Sequence, residues 1–241
     1  MSKSIVIVGG SSDIAKSTIS SISTENYKFH ALVRDDSHTD ELSGLGVNVI
    51  LGDATSEEDI KNFISGVKES GEIHAILHCV GSFAVRPPHA MNKEAFEAVI
   101  STNLTSAFLT LSIAGKAMLS QGHGRMVFMS SVAGSLGLVN HEAISAAKGG
   151  IESMVRSAAA TYANRGLRIN AVAPGLTDTK LASPIMSNET ASQAASQKIP
   201  VKRVGRKEEV ANVIKWLLTE APENFTGQIL HTDGGMSNLL V

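Results

Sequence analysis

The sequence predicts an α/β fold: one doubly wound, largely parallel sheet of about seven strands with helices on both faces. Three observations carry that expectation. Apolar runs of strand length alternate with longer helical stretches through all 241 residues, and strand, helix and strand repeated in this way means parallel strands joined by right-handed crossovers. Apolar residues make up 43% of the chain and aromatic residues only 4%, which favours a core of Val, Ile, Leu and Ala in a sheet covered on both sides. No change of composition and no Pro/Ser-rich linker divides the chain, so residues 1–241 are expected to form a single domain.

The first apolar run, 5–8, leads directly into Gly9-Gly10-Ser11-Ser12-Asp13-Ile14-Ala15 and a helical pattern over 14–23. A glycine at that junction allows a tight turn and close approach of backbone to a pyrophosphate, whose charge meets N–H groups at the helix N-terminus. Ser12 or Asp13 is placed to cap the helix and point to water; the alternative turns the Asp13 carboxylate toward the phosphates. The second strand, 29–33, ends in Leu32-Val33-Arg34-Asp35, and the third, 47–51, leads to Gly52-Asp53-Ala54-Thr55. After a helix over 57–69, the fourth strand, 75–80, runs into His78-Cys79-Val80-Gly81. Adjacent His and Cys raise the question of a metal, but no companion cluster has ligand spacing and none is expected. His78 is read as a hydrogen-bonded structural residue and Cys79 as a small buried hydrophobe.

A long helical pattern over 93–119 contains Asn103, a poor helix former with little reason to sit mid-helix. The fifth strand, 125–130, ends beside Ser131. The helix over 145–164 places Lys148 among small residues, which implies close packing beside something polar. The sixth strand, 168–172, precedes Pro174-Gly175-Leu176-Thr177-Asp178-Thr179. Residues 180–204, rich in Ser, Ala and Gln, are expected to be a flexible loop over the substrate. A helix over 207–218 and a strand over 228–232 complete the pattern. In such a sheet ligands bind beyond the carboxyl ends of the strands, so the loops after strands should carry the chemistry.

These motifs, in this order, resemble the classical short-chain dehydrogenase/reductase family, whose fold is Rossmann-type, over nearly the whole chain. The resemblance implies a nicotinamide dinucleotide across the strand tips. Gly9 matches the first glycine of the family's Thr-Gly-x-x-x-Gly-x-Gly, while Val8, Asp13 and Ala15 depart from it. By the resemblance, Gly9, Ser11, Ser12, Asp13 and Ile14 lie at the phosphates, and Asp53 with Ala54 at the adenine. Gly81 approaches the cofactor, although His78-Cys79 replaces the usual pair of asparagines. Lys148 holds the nicotinamide ribose, and Pro174, Gly175, Thr177 and Thr179 form the carboxamide loop. Val33, at the tip of the second strand, cannot bind a ribose 2′-hydroxyl. Arg34 can pair with a 2′-phosphate, so NADP(H) is favoured over NAD(H); the alternative leaves Arg34 a solvated loop charge.

The family's catalytic set is Ser…Tyr-x-x-x-Lys with a helix asparagine. Ser131 resembles the serine that bonds the substrate oxygen, Lys148 the lysine and Asn103 the asparagine of a proton relay. At the tyrosine's place, four residues before Lys148 and thirteen after Ser131, stands Ile144. Isoleucine donates no proton. The only tyrosines are Tyr27 and Tyr162, and Tyr162 lies roughly 21 Å beyond Lys148 along a helix rising 1.5 Å per residue. His141, seven residues before Lys148, occupies the place from which the tyrosine of bacterial enoyl-thioester reductases acts, and imidazole suits proton transfer at neutral pH.

Two functions follow. One is an NADP(H)-dependent reductase of a carbonyl or activated double bond, with His141 or a water held by Asn103 and Lys148 supplying the proton. The other is a catalytically silent nucleotide-binding or scaffold protein of the same fold. A formal charge of −2 and the absence of any Lys/Arg run argue against nucleic acid. No stretch reads as a membrane span. One cysteine, Cys79, allows no intrachain disulfide and suits a reducing compartment, so a cytoplasmic protein acting on a small molecule is expected. Relatives are commonly tetramers, which implies a homo-oligomer, tetramer or dimer, paired through the helices at 93–119 and 145–164.

Overall fold

The computed structural model describes residues 3–240. Seven parallel strands form the main sheet: β1 (Lys3–Val8), β2 (Tyr27–Val33), β3 (Val47–Leu51), β4 (Glu72–His78), β5 (Gly124–Met129), β6 (Leu167–Pro174) and β9 (Ile229–Thr232), in spatial order 3-2-1-4-5-6-9. The order reverses between β1 and β4, so a crevice opens at their carboxyl ends, where such sheets bind ligands. A short parallel pair, β7 (Thr177–Asp178) and β8 (Gly205–Arg206), stands apart from the main sheet.

Alternation along β1 shows why the sheet is covered twice. Ile5 and Ile7 face a core that also takes Ile19 from α1 (Asp13–Ser21), Leu42 from α2 (Thr39–Gly44) and Ile214 from α9 (Lys207–Thr219). Val6 and Val8 face the opposite core, built with α3 (Glu57–Ser70), α5 (Ser106–Leu119) and α6 (Glu142–Tyr162). Burial on both faces explains why these strands read as continuous apolar runs.

The helical run expected over 93–119 is interrupted. α4 (Lys93–Ile100) passes into a π-helical turn, Ser101–Thr105, before α5 begins. The run is more apolar than the sequence reading allowed: by length and composition alone it passes as a membrane span, its best window having a mean hydropathy of 1.4 with 44% of it buried. It packs on α3 and α6 as a core helix, while Phe108 on its outer side remains 56% exposed.

Three boundaries move in ways that matter for the site. β4 ends at His78, so the imidazole belongs to the sheet and only Cys79 onward to the loop. α6 begins at Glu142, which brings Ile144 into its first turn with His141 at the N-cap position. Residues 180–204, expected as a loop, carry a 3₁₀ turn at Lys180–Ala182 followed by α7 (Ser183–Met186) and α8 (Glu189–Gln197). Their Ala and Gln residues are adequate helix formers, and a loop reading based on small polar composition overlooks that.

Candidate active site

The phosphate loop sits at the β1–β4 switch. Gly9 has φ +87°, the left-handed region, and a Cβ there would come within 2.8 Å of Val80 and 2.9 Å of the Cys79 carbonyl carbon. Only a glycine lets this loop lie against the end of β4. Ser12 caps α1 by accepting the Ala15 N–H (3.5 Å), and its hydroxyl also contacts the buried Cys79 Sγ (3.3 Å). Burial pushes the Cys79 thiol pKa up. Ile14 packs on the α1 side of the core, and Ser11 is half-buried at the turn.

Asp13 neither caps α1 nor points to water. Its Oδ2 accepts the backbone N–H of Lys180 at 2.7 Å, and its Oδ1 lies 3.7 Å from Lys16 Nζ. The sequence offered the cap because Asp13 adjoins the helix start; Ser12, one residue earlier, has the extended backbone that a cap needs.

At the far end, Asp53 follows β3 and accepts from both the N–H and the hydroxyl of Thr55 at 2.8 Å, which with the nearby Arg34 charge lowers its carboxyl pKa. Ala54 is half-buried against the α3 side of the core. Arg34 is exposed just past β2 and also lowers the Asp35 carboxyl, whose larger cause is hydrogen bonding to Ser37.

The opposite end is polar and tightly bonded. Asn103, in the π turn, is fully buried; its Nδ2 donates to Ser82 Oγ (2.9 Å) and to Val99 O (2.9 Å), while its Oδ1 accepts the Ser82 N–H (3.3 Å). The extra residue of a π turn re-aims a side chain locally, a device frequent at functional sites. Lys148, 6% exposed, donates from Nζ to Met129 O at 2.8 Å, and burial brings its amine down to about 8. Gly81 joins the two, since a Cβ on it would stand 3.4 Å from Asn103 Oδ1 and 3.7 Å from Lys148 Nζ.

Ile144 is 8% exposed and packs with Val99, Ala133, Ala143 and Ala147. Spacings of three and four place His141, Ile144 and Lys148 along one stripe of α6. Before it, Asn140 is left-handed (φ +63°) and its carbonyl accepts the Arg86 N–H (2.8 Å), tying this corner to the loop after β4. His141 Nδ1 donates to Val139 O at 2.7 Å, which leaves Nε2 as the nitrogen available for proton exchange. Ser131 closes β5; its Oγ accepts the Ala133 N–H (3.2 Å) and so anchors the turn Val132–Gly134.

His78 is buried without exposure, and Ser106, whose hydroxyl donates to Thr102 O (2.6 Å), receives its Nε2 N–H at 3.0 Å. Among the described residues its Nδ1 has no partner, and burial drives the imidazole pKa down to about 3. After β6, Gly175 donates its N–H to Thr232 O (3.2 Å), Thr177 is buried with its hydroxyl on Gly175 O (3.0 Å), and Thr179 bonds back to Thr177 O (3.3 Å). Pro174 ends β6, opposite Thr232.

Sequence reading missed Ser82, the clasp of Asn103, and the buried pair of Ser130 Oγ with Glu152 Oε1 (2.8 Å) behind Lys148. Glu152 had a visible signal: a carboxylate four residues after Lys148 on an Ala- and Gly-rich stripe. Ser82 had none, because a loop serine carries no periodicity.

The residues present fit a nicotinamide dinucleotide. A glycine turn at a switch point, a helix N-terminus, an exposed arginine beyond β2 and a bare glycine between Asn103 and Lys148 together match that ligand's anionic middle and polar ends. Asp13 is the exception in charge, and its carboxylate is already engaged by Lys180.

Comparison with known proteins supports the same reading. The model of the enoyl-(acyl carrier protein) reductase family matches residues 9–237. The 3-oxoacyl-[acyl-carrier-protein] reductase MabA of Mycobacterium tuberculosis is 31% identical over 236 residues, covering 98% of this chain and 93% of that protein. The cis-4-hydroxycyclohexanecarboxylate dehydrogenase of Sinomonas cyclohexanicum is 36% identical over 185 residues, or 76% of this chain and 74% of that one. Among solved structures, ElxO with NADP bound superposes with a TM-score of 0.92 at 25% identity, covering 99% of this chain and 100% of that chain. Levodione reductase does so with a TM-score of 0.92 at 26% identity, covering 99% and 98%.

Proposed function

The chain belongs to the classical short-chain dehydrogenase/reductase family and is an NAD(P)-dependent oxidoreductase; from that premise we propose that it reduces a carbonyl or activated double bond with NADP(H), and that its proton comes from a group other than tyrosine. The observation that carries this reading is the polar cluster of Gly81, Asn103 and Lys148, kept buried and bonded although the residue four before Lys148 is aliphatic. A site that neither bound a dinucleotide nor worked on one would have no reason to keep a buried amine. Desolvating a lysine is costly, and an apolar residue would pack there at no such cost.

When bound, the nicotinamide supplies the hydride. Everything else falls to this chain. Gly9 and the start of α1 would receive the phosphates, and Arg34 would pair with a 2′-phosphate. Lys148, anchored on Met129 O, has an amine brought close enough to neutrality to exchange protons there. Asn103 holds its Oδ1 beside Gly81, placed to order a water. His141 carries hydrogen on Nδ1, so it delivers a proton from Nε2 only as the imidazolium. Ile144 keeps the wall between them dry and gives nothing to the reaction. A small-molecule substrate would lie under residues 180–204, and the exposed side of α5 around Phe108 is the surface we assign to a homo-oligomer contact, in a protein of the cytoplasm.

The test is NADPH binding by fluorescence followed by turnover with a panel of ketones and enones. A positioned acid contributes about 10²–10⁴ in rate, so His141→Ala should lower turnover by at least about a hundredfold with NADPH affinity unchanged. Turnover untouched in His141→Ala moves the donor to the water held by Asn103 and Lys148. Binding with no turnover on any substrate supports the silent reading instead.

A further inference from the structure

Asp13 departs most sharply from the family's phosphate loop, and its contacts give it a task. We propose that Asp13 is a positioning residue that latches the segment 180–204 onto the phosphate loop, holding the cover of the substrate from the cofactor side. The proposal rests on the reading of the crevice as a dinucleotide site.

The segment leaves and returns at one point. Thr177 pairs with Gly205 and Asp178 with Arg206, and the Gly205 N–H donates to Leu176 O at 2.9 Å, so the chain between them is an excursion with a stapled base. On its returning side, Ile199 and Val201 lie over Gly234, where a Cβ would meet them at 2.7 and 2.6 Å, and the Val201 N–H donates to Gly234 O at 3.3 Å. On its outgoing side, Asp13 Oδ2 takes the N–H of Lys180, the residue that opens the 3₁₀ turn Lys180–Ala182. A bond from an ionised carboxylate to a backbone N–H is stronger than a neutral one, and it crosses 167 positions of sequence. Lys16, which bonds Glu41 at 3.0 Å, stands 3.7 Å from the other oxygen and helps aim the carboxylate.

The glycine usual at this position provides no such bond. A carboxylate there opposes an anionic phosphate at the start of α1, so the latch should weaken cofactor binding while ordering the cover. Asp13→Asn separates the two effects, because an amide oxygen still accepts from Lys180 while the charge is gone. Asp13→Gly removes both.

Limited trypsin digestion of the protein without cofactor reads the latch directly, through cleavage after Lys180, with cleavage after Lys68 on α3 as the internal standard. Asp13→Gly should be cut after Lys180 about tenfold faster than the parent, and Asp13→Asn at nearly the parent rate, since a local opening exposes only its own segment. NADPH should bind both variants several-fold more tightly than the parent. Equal cleavage after Lys180 in Asp13→Gly and the parent overturns the proposal, as does acceleration shared with Lys68, which is global loosening. If Asp13→Gly is cut faster after Lys180 alone and no form binds NADPH, the latch stands and the dinucleotide reading falls.

Discussion

At the phosphate end of the crevice, Asp13 stands for a glycine and is held by the N–H of Lys180; at the other end, Ile144 stands four residues before Lys148 and is held by Val99, Ala133, Ala143 and Ala147. Both substitutions are accommodated by packing or hydrogen bonding, yet they differ in what they take away. Asp13 alters charge around a loop whose path is fixed by Gly9 and by the contact of Ser12 with Cys79. Backbone N–H groups bind a pyrophosphate whatever the side chains, so this end tolerates change. Ile144 removes a functional group, and no backbone atom can replace a phenol. Cofactor recognition is thus spread over many main-chain atoms, while proton delivery rests on one side chain or its substitute.

Restoring that group is the sharpest way to break the contrast. In a His141→Ala background, which lacks the assigned donor, Ile144→Tyr should raise carbonyl reduction by about 10²–10⁴, the contribution of a positioned acid, since Asn103, Ser131 and Lys148 are already in place. Steady-state turnover at saturating NADPH measures it. No gain in a variant that still binds NADPH would mean that the surrounding residues have ceased to form a reductase site, and the difference between the two ends would be one of decay.

How much of this was legible beforehand follows the same division. The strands and long helices were readable because burial on both faces writes itself into the sequence as apolar runs and helical stripes. Gly9, Asn103 and Lys148 were readable because each is an anomaly in its element: a turn residue at a strand end, a poor helix former mid-helix, and a charge among alanines. What stayed hidden depends on pairing across the fold. Nothing local in Asp13 announces Lys180, and nothing in Ser82 announces Asn103. The π turn at Ser101–Thr105 was only half visible: Ser, Thr and Asn are weak helix formers there, but nothing in that composition distinguishes a π turn from an ordinary one.

A second test concerns His78, where the asparagine of the family pattern gives way to imidazole at the tip of β4. Its unfolded value is 6.5 and burial drives it to about 3. Between those values the unfolded chain takes up a proton that the folded chain refuses, so stability is lost as pH falls from 6.5 toward 3. Each pH unit well inside that window costs about 1.4 kcal/mol from this residue. His30 and His74 are also lowered by burial and act in the same direction. His78→Asn should therefore flatten the acid side of the stability curve without abolishing its slope. Urea unfolding at pH 7 and pH 5 reads the difference; equal slopes in both proteins would show that His78 is charged in the fold or exposed to water, and that the ring end is looser than its hydrogen bonds suggest.

The smallest effect belongs to the adenosine end. Arg34 is exposed, one residue beyond the Val33 tip of β2, and its charge reaches Asp35 and Asp53. A charge-assisted bond from guanidinium to phosphate is among the stronger polar contacts, but solvent screening at an exposed site discounts it. Arg34→Ala should weaken NADPH binding by about tenfold, leave NADH binding within about twofold, and remove most of the salt dependence of the NADPH value. Titrations with both coenzymes at low and high salt separate these outcomes. Equal losses for NADPH and NADH would place Arg34 on a shared part of the two ligands, and the choice between coenzymes would then have to come from Asp35 or Asp53. If neither coenzyme notices the change, Arg34 serves only to balance its two neighbouring carboxylates, and this end of the crevice reads a dinucleotide through its main chain alone.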